Sequence, residues 1–165
     1  MIYNNYPSLI LQDSNLHLVN MSKFQFKVPV VGPCGIGKTY WLNRFGGTPH
    51  SPITSDIYDF PASCMGNNFF ISLEMPELDG PLKETLEGSD AVFVCCDRVT
   101  SPEDLESYVK FVKKYPEKDI PIITIVFKYD INESCGIDDL VDCEVSVDQD
   151  CINEPIEKVI GILTY

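Results

Sequence analysis

The sequence predicts an α/β sandwich with a mostly parallel central sheet flanked by helices. Three observations predict it. An apolar run, Val28-Pro-Val-Val31, leads into the glycine-rich segment Gly32–Thr39 and then a helical start at Tyr40-Trp41-Leu42. Ala91–Cys96 is continuously apolar, as in parallel strands covered on both faces, and Ile120–Phe127 reads as another buried strand. Helix-start signals stand between and after them, and strands alternating with helices imply a layered α/β architecture.

Residues 1–22 read as an N-terminal tail and residues 23–165 as one domain. The tail mixes Asn, Ser, Tyr and Pro with a short apolar run, Leu9-Ile10-Leu11, and shows no period. Phe24–Val31 is the first strand. Pro29 inside it lacks an N–H, which predicts a bulge or an unpaired position. Gly46-Gly47-Thr48-Pro49 closes the helix after the loop. His50–Ser55 is a polar loop. Asp56–Cys64 and Phe69–Glu74 read as a hairpin turning at Gly66-Asn67-Asn68, and Leu82–Leu86 as a short helix.

Ser101-Pro102-Glu103-Asp104 combines a cap, a proline in the first turn and two acids, and so opens a helix. Leu105, Tyr108, Val109 and Val112 then share one face; Lys113, Lys114 and Pro116 end it. A short strand is expected near Glu144-Val145. Glu154-Pro155 opens a last helix whose Ile156, Val159, Ile160 and Leu163 share a face.

The 165-residue chain carries 25 acidic and 12 basic side chains, a formal net charge of −13. Such a balance argues against nucleic-acid partners and against an anionic membrane surface. Arg44 and Arg98 are the only arginines, too few for a kinase that surrounds a transferred phosphoryl group. The seven cysteines are odd in number and form no CxxC pair, which points to reduced thiols in a cytoplasmic protein. A metal cluster of Cys135, Cys143 and Cys151 would need a histidine, and His17 and His50 lie far off in sequence. No apolar run is long enough to span a bilayer, Ile2 replaces the glycine that myristoylation needs, and no cysteine lies at the C-terminus, so no lipid anchor is expected.

Gly32-Pro33-Cys34-Gly35-Ile36-Gly37-Lys38-Thr39 matches GxxxxGKT, a phosphate-binding loop. The chemistry needs these residue types. Glycines let successive backbone N–H groups turn inward as an anion nest at the positive end of the following helix. Lys38 would reach the β- and γ-phosphates, and the Thr39 hydroxyl would ligate Mg²⁺. The competing reading is a glycine-rich turn that carries Lys-Thr by chance.

From Lys23 to Tyr165 the chain resembles the small GTPases of the Ras superfamily, nearest in character to their Rab and Ran-like members. GPCGIGKT carries most of that resemblance. Ser89-Asp90-Ala91-Val92-Phe93-Val94, then Asp97 and Thr100–Leu105, are similar to the family's central strand and third helix. Phe127-Lys128-Tyr129-Asp130 stands where the family places NKxD.

The resemblance implies a Ras-like G domain that binds GTP or GDP with Mg²⁺ and answers to protein effectors or regulators. By it the nucleotide-binding residues are Gly32 to Thr39 with Tyr40, then Lys128 and Asp130 at the base, and Ser146 with the Val147 backbone N–H where the family carries SAK. Asp130 would accept the two guanine hydrogen bonds that adenine does not offer. Thr39 would hold the metal together with Thr54, or with Thr48 in its place, and Glu74 would reach it through water. The departures matter equally. Phe127 replaces an asparagine, Glu77 stands where a glycine N–H should meet the γ-phosphate, and Leu78 stands where a glutamine should orient the attacking water. The segment from Asp130 to Ser146 is short for a fourth helix.

Two functions follow as expectations. One is a GTP-binding switch with slow or defective hydrolysis in signalling or trafficking. The other is a pseudo-GTPase, the fold kept as an interaction module with little or no turnover.

Overall fold

The computed structural model describes residues 24–45, 48–49, 57–64, 67–75, 82–116, 118–128, 136–146 and 153–164. The proposed tail and the polar loop before the hairpin lie outside them. Seven strands form one sheet: β1 (Phe24–Val31), β2 (Thr48–Pro49), β3 (Ile57–Cys64), β4 (Asn67–Glu74), β5 (Val92–Asp97), β6 (Ile122–Lys128) and β7 (Cys143–Ser146). The helices are α1 (Lys38–Phe45), α2 (Leu82–Leu86), α3 (Pro102–Val112) and α4 (Glu154–Leu163).

Strand order is β2-β3-β4-β1-β5-β6-β7. β4, β1, β5, β6 and β7 run parallel; at one edge β3 runs antiparallel to β4, and the two-residue β2 pairs antiparallel with β3. This is the mostly parallel α/β sheet that the apolar runs imply. After β1 the chain first builds the β4 side, then crosses to build the β5 side. β1 is therefore the point where the topology switches direction, and in open α/β sheets the carboxyl ends of the strands at such a point are where ligands bind.

Pro29 makes no bulge. β1 stays in register with β4 through Pro29↔Glu74 and takes up β5 from Val30↔Phe93, so the residue without a donor sits where the partner changes. The hairpin is tighter than its Gly-Asn-Asn signal suggests. Asn67 and Asn68 are already paired, with Cys64 and Ser63. Cross-strand pairing overrides their local turn preference. α3 opens as expected, with the Asp104 N–H donating to Ser101 Oγ at 3.1 Å. Between residues 136 and 146 a single 3-10 turn at Asp138–Leu140 stands where a fourth helix would lie.

Period-two alternation divides the core. Phe93 and Cys95 of β5, with Val28, Val30, Ile123 and Ile125, pack under α1 and α4. Val92, Val94 and Cys96, with Val31 and Val126, pack under α2 and α3. Both faces are thus apolar, which explains why β5 reads as an unbroken hydrophobic run.

The β7 edge is pinned by a polar clamp. The Thr124 N–H and hydroxyl both donate to Asp142 Oδ2 at 2.9 Å, and Lys158 of α4 reaches Asp142 Oδ1 at 3.2 Å. Burial alone would raise the Asp142 carboxyl, but the Thr124 hydrogen bonds and Lys158 outweigh it and hold the group below its ordinary value. A carboxyl depressed in the fold gives stability above its unfolded pKa, about 3.9, and loses it as pH falls through the lower folded value. The melting temperature of Asp142→Asn should therefore trail the wild type at pH 7, and the gap should close as pH drops below about 4. A gap constant from pH 7 to pH 3 in thermal melts would contradict the clamp.

Candidate phosphate-binding site

Every glycine of the loop that needs freedom uses it. Gly32, Gly35 and Gly37 take φ of +150°, +78° and +106°, outside the range comfortable for other residues. Gly32 also touches β5: a Cβ there would lie 2.3 Å from the Cys95 carbonyl oxygen. Only hydrogen fits, so the loop leaves β1 pressed against the neighbouring strand. The Trp41 N–H donates to the Gly37 carbonyl at 2.9 Å and closes the first turn of α1. Lys38 starts α1, and its ammonium donates to the Gly32 carbonyl at 2.9 Å and to the Pro33 carbonyl. The lysine thus curls over the loop and stands above its backbone.

Cys34 is exposed on this loop, and Cys95, beneath it, is buried; burial pushes the Cys95 thiol up strongly, with Lys38 opposing. Cys34, Cys95, Cys96 and Cys143 are thiols not joined in disulfides, whereas Cys135 and Cys151 lie outside the described residues. Tyr108 of α3, read from the sequence only as part of that helix's apolar face, is also a neighbour of the loop. Burial raises its hydroxyl, the Cys95 and Cys34 thiols add to this, and the Gly32 backbone beside it acts the other way. Its position on the inward face of α3, the helix that follows β5, was the available signal.

α1 is anchored from below by aromatic packing. Trp41, 1% exposed, lies edge-on to Phe93 and to Phe127, each at 5.8 Å between ring centroids. Phe127, where the resembled family carries a polar tether, thus joins α1 to the end of β6 through rings instead of hydrogen bonds.

The other candidates fall unevenly. Lys128 ends β6 and Ser146, buried, ends β7, both at the carboxyl edge that carries the loop. Asp130, Val147, Thr54, Glu77 and Leu78 lie outside the described residues, and Thr48 is paired with Asp59 in β2. Thr39 and Tyr40 are exposed at the start of α1. The Thr39 hydroxyl donates to the Met75 sulfur at 3.9 Å. Glu74 does not turn that way. It pairs with Lys27 at 3.4 Å, on the face of the sheet under α2. Alternation along β4 decides this: Leu73 and Met75 face the α1 core, so Glu74 points through the other side.

Among the described residues no group of three or more His, Cys, Asp or Glu side chains is placed to hold a metal. Mg²⁺ at a phosphate loop needs no such group, because one hydroxyl, phosphate oxygens and water complete its octahedron. Thr39 suits that role. No helix among the described residues is long and apolar enough to cross a membrane. No protein-family model matches the sequence, and no curated protein matches it.

Proposed function

We propose that this protein binds a guanine nucleotide with Mg²⁺ at the Gly32–Thr39 loop and turns GTP over slowly or not at all. In this reading it is a P-loop, Ras-like G domain, a cytoplasmic switch for protein partners in signalling or trafficking. One observation carries the proposal. The loop leaves β1 at the topological switch point with three positive-φ glycines and opens directly into α1 at Lys38. Backbone N–H groups, a helix N-terminus and a lysine then converge where polyphosphate binds in open α/β sheets.

Lys38 would exchange its two carbonyl contacts for the β- and γ-phosphates. Thr39 would turn its hydroxyl from Met75 to Mg²⁺, and that ion would neutralise charge between the phosphates. Lys128 and Asp130 would frame the base, with Ser146 and the Val147 N–H on its far side.

Poor hydrolysis follows from the places the resemblance gives to Glu77 and Leu78 in the sequence: Leu78 would offer no group to orient water, and Glu77 would bring a like charge to the γ-phosphate. Glu74 is held by Lys27 and faces away from Thr39. These same features favour the second reading, a pseudo-GTPase interaction module. Multiple-turnover phosphate release should be slower than the intrinsic rate of about 10⁻⁴ s⁻¹ typical of Ras itself. Release at that rate or faster would refute the assignment of Glu77 and Leu78. Denaturing the purified protein and identifying any released nucleotide separates the two readings: GDP or GTP supports the switch, and none supports the module.

A further inference from the structure

The two strands beside β1 each end in an acid at the edge that carries the loop: Glu74 closes β4 and Asp97 closes β5. Both are engaged by other groups. Lys27 pairs with Glu74 at 3.4 Å and is itself fixed by the Glu87 carbonyl at 3.2 Å. Asp97 Oδ1 accepts from the Thr100 hydroxyl at 2.9 Å and from the Val99 N–H at 3.2 Å, and so closes the turn into α3. What stands beside the Thr39 hydroxyl is the Met75 sulfur, at 3.9 Å. Met75 is 8% exposed and belongs to the core cluster of Trp41 and Leu42, so packing fixes the thioether there.

That neighbour is the wrong kind for a hard cation. Mg²⁺ takes oxygen ligands and keeps several of its waters. Partners around such a shell, carboxylates above all, contribute about 10–100-fold to metal affinity. A thioether is soft and a weak acceptor; it neither ligates Mg²⁺ nor takes a strong hydrogen bond from its waters. The loop itself meets phosphate with main-chain N–H groups and Lys38, and neither needs a cation.

We propose that this loop holds its nucleotide without depending on Mg²⁺, and that Met75 sets this by standing beside Thr39 where an acid would hold the ion's waters. The inference rests on the nucleotide reading of Gly32–Thr39. Under it Thr39 remains a ligand for an ion that arrives with the nucleotide, but Glu74 and Asp97 do nothing to fix that ion.

The test is isothermal titration calorimetry of the full chain with GDP, once with Mg²⁺ and once with excess EDTA. In the wild type the two Kd values should differ by less than about tenfold, the least that an outer-shell partner ordinarily contributes. Glu74→Gln should leave both values unchanged, because that carboxylate is turned to Lys27. Met75→Glu brings a carboxylate of nearly the same length beside Thr39. Its gap should widen to about tenfold or more, with the tighter binding in Mg²⁺. Met75→Gln has the same shape without the charge and should behave as the wild type does. A thermal melt without ligand checks the fold of each variant, and the wild-type and Glu74→Gln titrations decide the matter if Met75→Glu does not fold. A wild-type gap of tenfold or more, a gap altered by Glu74→Gln, or a folded Met75→Glu that keeps the wild-type gap overturns the inference and leaves the nucleotide reading standing. No GDP binding in either buffer overturns both.

Discussion

Replacing Trp41 by alanine lowers stability by about 3–5 kcal/mol, the cost of emptying a buried aromatic site. For a domain of this length that is a fall of roughly 6–20 °C in melting temperature. The side chain is 1% exposed and fills the space between Phe93 and Phe127 beneath α1. Its loss removes two edge-to-face contacts as well as apolar burial. Phenylalanine in its place keeps one ring and should recover about half the deficit. Trp41 is also the only tryptophan in the chain, so its fluorescence reports on α1 directly. A blue-shifted emission in the native wild type, moving red on unfolding, is the expected signature. A fall of under 2 °C for the alanine variant in a thermal melt would mean that the ring is not buried between those partners.

Gly32→Ala is expected to cost about 4 kcal/mol, combining a backbone strain of about 1–3 with an overpacking cost of similar size. The added carbon would stand 2.3 Å from the Cys95 carbonyl oxygen at a φ of +150°. Neither β1 nor β5 yields easily, because both are buried central strands. Gly35→Ala provides the control. Its φ is +78° but nothing lies within 4 Å of the new carbon, so only strain of about 1–2 kcal/mol applies. Chemical denaturation of both variants separates contact from strain. Equal losses at the two positions would show that Gly32 does not press against β5.

Much of this architecture was legible because it is local. The cap of α3, the Glu154-Pro155 opening of α4, the apolar run of β5 and the strand–loop–helix around Lys38 all announce themselves within a few residues. What stayed hidden depends on residues far apart in the chain. β2 is a two-residue pairing with β3 that carries no pattern of its own. Asn67 and Asn68 read as a turn, yet pairing with Cys64 and Ser63 makes them strand. Glu74 looked like a water-mediated metal ligand by its place in the chain. Strand alternation instead turns it to Lys27, a contact 47 positions away in sequence, and leaves Met75 beside Thr39. Phe127 read as a missing polar tether, whereas it packs against Trp41. In each case a local letter was read without the neighbour that tertiary packing supplies.

In the proposed function Lys38 and its loop receive a nucleoside polyphosphate. The most direct measurement compares thermal shifts of the wild type and Lys38→Ala with GTP, GDP and ATP, each with Mg²⁺. At a ligand concentration a hundred times Kd, binding adds about 2.7 kcal/mol, or roughly 5–10 °C for a domain of this size. The expected result is a shift of that size with GTP and GDP, a smaller one with ATP, and none in Lys38→Ala. No shift with any nucleotide, a shift that survives Lys38→Ala, or a larger shift with ATP would contradict it.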